Sequence, residues 1–295
     1  MIRNPIPWPN GAKCAACITF DMDADSLIHI AHPKDGHTRV SATSMLKYGP
    51  EVAIPRIVDT YGELGIKQTF FIPAWCVENY PKAIEKILHG GHEIAQHGFL
   101  HEHPSELNDE DEAYWFQRSR ESLEKITGRA PRGFRAPLYN FSHRTGRLMA
   151  EAGFSYDASL MGDDQPYLLD TGVGRLVELP SHWGLDDWPQ YVQSMDLDYM
   201  MPIRAPSDGW RAFAEEFEAA FTYGGLWVPV VHPFATGRLA RWHEVRKFLT
   251  TVRERGDVWF APMEDIAAHV NTVVADGTWS PRIDTVPFYD APVRA

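Results

Sequence analysis

An α/β fold on a mainly parallel sheet or barrel is predicted by two observations. Apolar runs of strand length alternate with segments of helical spacing. Polar or aromatic residues (Asp21, Asp23, Trp75, His97, Arg135, His232) collect just after the apolar runs end. In such folds the rim beyond the strand C-termini is where active sites assemble.

Residues 14–21 read as the first strand, followed by a long polar excursion to about residue 50. A helix is expected over Glu51–Leu64, where Val52, Ile54, Ile57, Val58, Tyr61 and Leu64 fall near helical spacing. Lys67–Pro73 is a second strand, Pro81–Leu88 a short helix closed by Gly90-Gly91, and His92–Gln96 a third strand. The next helix starts on the acidic turn Asn108-Asp109-Glu110, which suits the helix dipole, and ends at Thr127-Gly128. A short strand through Gly133-Phe134-Arg135, a helix over Arg144–Ala152 and a strand near Ser155–Ser159 come next. Residues 161–210 read as irregular. A helix over Trp210–Thr222, an intensely apolar strand Leu226–Val231, a helix Ala240–Arg255 and a final strand Val258–Ala261 complete the prediction.

The 295 residues can bury a sizeable core, and 44% hydrophobic with 23% charged residues is ordinary for a globular protein. A formal charge of −12 argues against binding nucleic acid or anionic lipid, and leaves neutral or cationic small substrates open. No stretch is long enough to span a bilayer. The Pro-rich start carries no apolar export segment, and the expected location is the cytoplasm. Cys14 and Cys17 form a C-x-x-C, but residues three apart on a strand point to opposite faces. They are expected to be reduced core cysteines.

Asp21 and Asp23 share one face of an extended strand, so both carboxylates can address one site. One would ligate a metal and the other would serve as general base. Asp25, in the following loop, is expected to be solvated. His97 and His101 are spaced as two imidazoles on one side of a helical turn, with Gly98 and Pro104 favouring a loop or single turn. With Asp23 they would leave positions open for water and substrate. His92 is expected to be structural and His103 to lie at the rim. Arg135 can pair with Asp21 and keep it ionised. His232, after a run apolar enough to be a central strand, suits a general acid. Trp183, Trp188 and Tyr191 are aromatic wall candidates, whereas Glu110-Asp111-Glu112 and Asp163-Asp164 are expected to be solvated acidic surface.

In order along the chain, Thr19-Phe20-Asp21-Met22-Asp23, His97-x-x-x-His101, Arg135-Ala136-Pro137, the Asp/Trp loop near 186–188 and Val231-His232-Pro233 resemble the five motifs of the polysaccharide deacetylase family. The resemblance spans nearly the whole chain. It implies a single catalytic domain over residues 1–295 with a distorted, TIM-like (β/α) barrel. It further implies Asp21 as base, Asp23, His97 and His101 as ligands of a divalent metal (zinc in the first place, with cobalt or manganese also accepted), Arg135 as orienter of the base and His232 as acid.

Three departures matter. The usual adjacent Asp-Asp-Gly is Asp21-Met22-Asp23-Ala24, the hydroxyl residue usual after the first metal histidine is Gly98, and the connection Ala24–Tyr48 is long. These features look like the intracellular branch, which includes cyclic imide hydrolases, a peptidoglycan-deacetylase-like group and metal-independent allantoinases. The opening Ile2–Ser26 looks most similar to the cyclic imide hydrolases. The expected reaction is therefore opening of small cyclic imides to half-amides, in a pocket walled by Trp75, Tyr139 and Trp188. The alternatives are an N-deacetylase of peptidoglycan or acetylated amino sugars using the same metal site, and a non-catalytic carbohydrate-binding barrel. Related intracellular members imply a homo-oligomer, a tetramer.

Overall fold

The computed structural model describes residues 1–289 and 291–294. Its twelve strands are β1 (Cys14–Ala16), β2 (Thr19–Asp21), β3 (Thr69–Ile72), β4 (Glu93–Gln96), β5 (Gly133–Phe134), β6 (Tyr156–Asp157), β7 (Tyr167–Asp170), β8 (Arg175–Glu178), β9 (Leu226–Trp227), β10 (Val230–Val231), β11 (Val258–Phe260) and β12 (Ile283–Thr285). Nine form one sheet in the order β10-β2-β3-β4-β5-β6-β8-β7-β12, and β11-β1-β9 form a second. Every pairing is parallel except β7 with β8. Past β8 the chain turns back, and Asp186 bridges to Val230 in parallel. That contact brings the far side of the sheet to β10 and closes a distorted (β/α) barrel.

The distortion starts in the first strand. The continuous strand expected over 14–21 is broken at Cys17-Ile18: its first half pairs with β9 and β11, its second with β10 and β3. The expected strand Leu226–Val231 is broken likewise, at Val228-Pro229, where proline has no N–H to give a ladder. Cys14 and Cys17 fall in separate apolar clusters on the two faces, are free, and are pushed up to about 12 by burial.

The excursion 22–50 is more ordered than expected. It holds helices Ser26–Ala31 and Val40–Tyr48, and the latter runs through a wide turn at Gly49–Ala53 into Ile54–Leu64. Residues 161–210 are not irregular throughout: Tyr167–Asp170 and Arg175–Glu178 make a hairpin, and the helix placed at Trp210 begins at Pro206. The chain also continues past the strand expected to be last, into helix Met263–Ala275 and β12. The long helix Asp109–Thr127 follows its signals, with the Asn108 side chain accepting from Asp111 N and Gly128 closing it in the left-handed conformation.

Between β2 and β3, Phe20 stacks on Phe70 with ring centroids 4.9 Å apart. Burying each such ring stabilises the fold by about 1.5–3 kcal/mol. The apolar floor fixes the strands whose C-terminal ends carry the polar residues described next.

Candidate active site

Asp21 ends β2, His97 follows β4, Arg135 follows β5 and His232 follows β10, so parallel register brings all four to one rim. Ladder bonds continue one residue past the strands, from Met22 N to Phe71 O and from Arg135 N to Gln96 O, and hold these positions. His97 Nε2 lies 3.4 Å from Asp23 Oδ1 and 3.7 Å from Asp21 Oδ2. His101 Nε2 and His232 Nε2 lie 3.7 and 3.5 Å from Asp23 Oδ2. All of these side chains are buried.

The histidine spacing is met by a loop and not by a helical turn. Gly98 and His101 both take left-handed backbone, with φ of 69° and 67°. Glu102 secures the loop by accepting from Phe99 N and Leu100 N at 2.8 and 2.7 Å, and Ser119 Oγ donates to Gly98 O. A Cβ on residue 98 would sit 3.0 Å from Glu102 Oε1 and 3.2 Å from Pro137, besides adopting a strained φ. That geometry accounts for glycine where the family's hydroxyl residue would stand.

Arg135 is fully buried. Its Nη1 donates to Asp21 Oδ1 at 2.6 Å and to Thr19 Oγ1 at 2.9 Å, its Nε donates to Ala158 O, and its guanidinium lies 4.1 Å over the Phe71 ring. Burial alone would raise the Asp21 pKa, but Arg135, His97 and His232 outweigh it and hold the carboxyl below its ordinary range. The main-chain carbonyl of Arg135 accepts from His97 Nδ1 at 2.7 Å. That bond places the proton on Nδ1 and leaves the Nε2 lone pair facing Asp23.

His232 is held by a residue that the sequence reading left without a role. Asp187 Oδ1 accepts from His232 Nδ1 at 2.6 Å, and Asp187 Oδ2 accepts from His232 N and Thr236 Oγ1. Burial pulls the His232 imidazole down, but Asp187, Asp23 and Asp186 push it up to about 10. The only signal in the sequence was Asp186-Asp187 beside Trp188 in a loop otherwise read as irregular.

Among the described residues two sets of side chains are close enough to hold a cation: Asp23 with His97 and His101, and Asp186 with Asp187 and His232. The second is satisfied from within, since Asp186 accepts from Tyr139 OH at 2.6 Å and from Trp188 N at 2.7 Å, while Asp187 is spent on His232. The first is not, because Asp23 Oδ1 and His101 Nδ1 are buried without a hydrogen-bond partner. Burial pushes the Asp23 carboxyl up to about 7 and His97 down to about 4, and it holds His101 well below the ordinary range. A buried carboxylate short of positive charge beside two neutral imidazoles fits a divalent cation. The separations of 3.4 and 3.7 Å from Asp23 also suit it, because tetrahedral bonds of about 2.0–2.1 Å set ligand atoms roughly 3.4 Å apart.

Trp188 and Tyr139 line the pocket over this cluster, together with Trp183, Leu27 and Leu138. Trp188 meets His232 edge-on at 5.2 Å, and Tyr139 meets Trp183 at 4.8 Å. Trp75 does not line the pocket: it packs against His29 and Tyr80. Tyr191 is likewise buried in an apolar cluster. Asp25 is buried and accepts from Tyr80 OH, where a solvated residue was expected. Glu112 is also buried, accepting from Ser142, Thr145 and Arg144, because its helix turns it inward. His92 is structural, its Nδ1 accepting from Gln68 N at 3.1 Å, and His103 lines a larger cavity that adjoins the pocket.

A barrel with this cluster at its C-terminal rim defines an α/β-barrel amidohydrolase. Residues 38–156 match the family model described as polysaccharide deacetylase. A peptidoglycan deacetylase-like protein of Gibberella zeae is 32% identical over 262 residues, covering 75% of each chain. A peptidoglycan deacetylase of Helicobacter pylori is 29% identical over 225 residues, covering 68% of this chain and 77% of that one. A crystal structure from Mycobacterium smegmatis named "putative polysaccharide deacetylase" superposes with a TM-score of 0.90 at 38% identity, covering 97% of this chain and 99% of that one. The chain belongs to the polysaccharide deacetylase family, whose deacetylases use a divalent metal.

Proposed function

We propose that this enzyme removes the acetyl group from an N-acetylated amino sugar. The observation that carries the reading is a pair of titratable groups pushed apart across the Asp23 cluster. Asp21 is held ionised below its ordinary range, and His232 is raised to about 10 and so protonated at neutral pH. A base and an acid are thus poised on one small pocket. The pocket offers about 30 Å³, room for an acetyl-sized group or about two waters.

In the proposed reaction Asp21 takes a proton from the attacking water, whose oxygen adds to the acetyl carbonyl. His232 then gives its Nε2 proton to the departing nitrogen as the C–N bond breaks, releasing acetate and the free amine. Arg135 keeps Asp21 ionised and aimed, and Asp187 keeps the His232 imidazole protonated and oriented. A divalent metal at Asp23, His97 and His101 would supply Lewis-acid polarisation of the carbonyl and the water, and this nitrogen and oxygen donor set suits zinc.

The relatives named as peptidoglycan deacetylases support this reading over opening of a cyclic imide. The imide reading is the rival, since Leu27, Leu138 and Trp188 give the reacting end an apolar wall that suits a small ring. Metal-loaded protein assayed on N-acetylglucosamine oligomers and on succinimide separates the two. Acetate and amine release from the oligomers is expected. No release, with half-amide formed from succinimide, overturns the deacetylase reading.

The single domain over residues 1–295, a cytoplasmic location and a homotetramer belong to the same proposal. Three free buried cysteines support a reducing compartment, and the exposed Met195, Met200, Met201 and Ile203 support self-association. No helix among the described residues is long and apolar enough to cross a membrane. Light scattering checks the tetramer.

A further inference from the structure

The reacting pocket opens into a second cavity of about 660 Å³. The two share Leu27, His101, Leu138, Trp183 and Trp188 as a common wall. Anything bonded to a group in the inner pocket must therefore extend past these residues into the outer one. The outer cavity lies between the segments 27–32 and 196–199, which are tied to each other. Arg39 Nη1 donates to Asp196 Oδ1 at 2.7 Å while its Nη2 donates to Asp35 Oδ2 at 2.8 Å, and His32 Nε2 lies 2.6 Å from Asp196 O.

Its lining mixes apolar and aromatic residues with Glu102, Glu106, Asp196 and Asp198 and with His32, His101 and His103, and no lysine or arginine lines it among the described residues. The cations nearest the wall are already bound, Arg39 to Asp35 and Asp196 and Arg144 to Glu112. Glu102 is engaged by main-chain N–H groups and Asp196 by Arg39, so an anion entering the cavity would meet the carboxylates of Glu106 and Asp198 and no free guanidinium or ammonium. A neutral ring could lie against Trp183 and Trp188, and an ammonium would be attracted both by the carboxylates and by the aromatic faces.

We propose that the outer cavity is the leaving-group subsite and that it selects amines carrying no anionic group, uncharged or cationic, over phosphorylated or carboxylated ones. This deepens the deacetylase reading in one respect, since it takes the inner pocket as the reacting end.

The test gives metal-loaded enzyme N-acetylglucosamine, N-acetylglucosamine 6-phosphate, N-acetylmuramic acid and N-acetyl-1,4-diaminobutane at low salt. The expected kcat/KM for the neutral and cationic substrates exceeds that for the two anions by roughly tenfold or more, with the gap narrowing at high salt. Glu106→Lys, at an exposed position on the wall, narrows it too. Ala31→Trp, which fills the cavity from an exposed helix end, raises KM more for the larger leaving groups. Equal rates for the 6-phosphate and its parent, or an Ala31→Trp enzyme with unchanged KM, overturns the proposal. Calorimetry with the corresponding free amines reads the subsite without turnover. If no acetyl compound is hydrolysed but the amines bind in the expected order, the deacetylase reading fails and the subsite stands. If hydrolysis proceeds but the anionic amines bind as tightly as the neutral ones, the subsite falls and the deacetylase reading stands. Binding of none of the amines also overturns it.

Discussion

Strand β4 has a buried titratable residue at each end, and the two are treated oppositely. Glu93, at its start, accepts from Thr69 Oγ1, Tyr156 OH and Glu264 N at 2.6, 2.8 and 3.0 Å. His97, just past its end, faces Asp23 Oδ1, which has no hydrogen-bond partner at all. Only about 13 Å of strand separates them. Burial pushes Glu93 up to about 7 and Asp23, the carboxylate that His97 faces, to about 7 as well, so the direction of the shift does not distinguish the two acids. The difference lies in satisfaction. Where the protein supplies every donor, the buried acid is structural, and where it withholds one, the site awaits something from outside.

That contrast can be broken by substitution, and the largest effect is expected at the unsatisfied end. His101→Ala should remove bound metal, read by elemental analysis of the purified protein, and bring turnover to background. Metal retained with full activity would dissolve the distinction. Asp21→Asn is next. It should keep its metal and fold yet lose on the order of 10²–10⁴ in kcat, the range for a lost general base.

Asp187→Asn probes the acid. His232 must be protonated to act, and its value of about 10 rests largely on Asp187. Without that carboxylate the alkaline limb of the kcat/KM profile should move down towards the ordinary imidazole range, about 6.5. An unmoved limb would mean that His232 is not the group titrating there.

The smallest effect on chemistry belongs to the satisfied end. Glu93→Gln should leave kcat alone and cost about 1–3 kcal/mol of stability by unbalancing its donors. The pH sign is also fixed. Because Glu93 is raised from 4.5 to about 7, the native state binds the extra proton, and its contribution weakens as pH rises across that window. The variant should lack this slope in denaturation measured across the same range.

The rim was legible because parallel strands deliver their last residues to one end, so Asp21, His97, Arg135 and His232 could be read from strand endings alone. Asp187 was not legible, because its position depends on the bridge from Asp186 to Val230, a long-range closure with no local pattern. Trp75 was misplaced for a related reason. It too follows a strand, but its helix turns the indole towards His29 and Tyr80. Glu112 and Asp25 show the converse error, where acidic residues in polar runs were taken as solvated and proved to be buried acceptors. The hairpin at 167–178 was obscured by the aspartates and prolines around it, although Tyr167–Asp170 and Arg175–Glu178 are ordinary strand lengths.

Arg135 serves the centre twice, through its guanidinium on Asp21 and through its main-chain carbonyl on His97 Nδ1. Side-chain replacement can touch the first contact but never the second, which any amino acid at that position would retain. The Asp21 carboxylate can therefore lose its partner while the imidazole keeps its tautomer. A one-residue slip of β5 against β4 would have the opposite result, carrying the carbonyl away and disordering both at once. Substitution at this position thus acts on Asp21, while the hold on the His97 ring stays with the backbone.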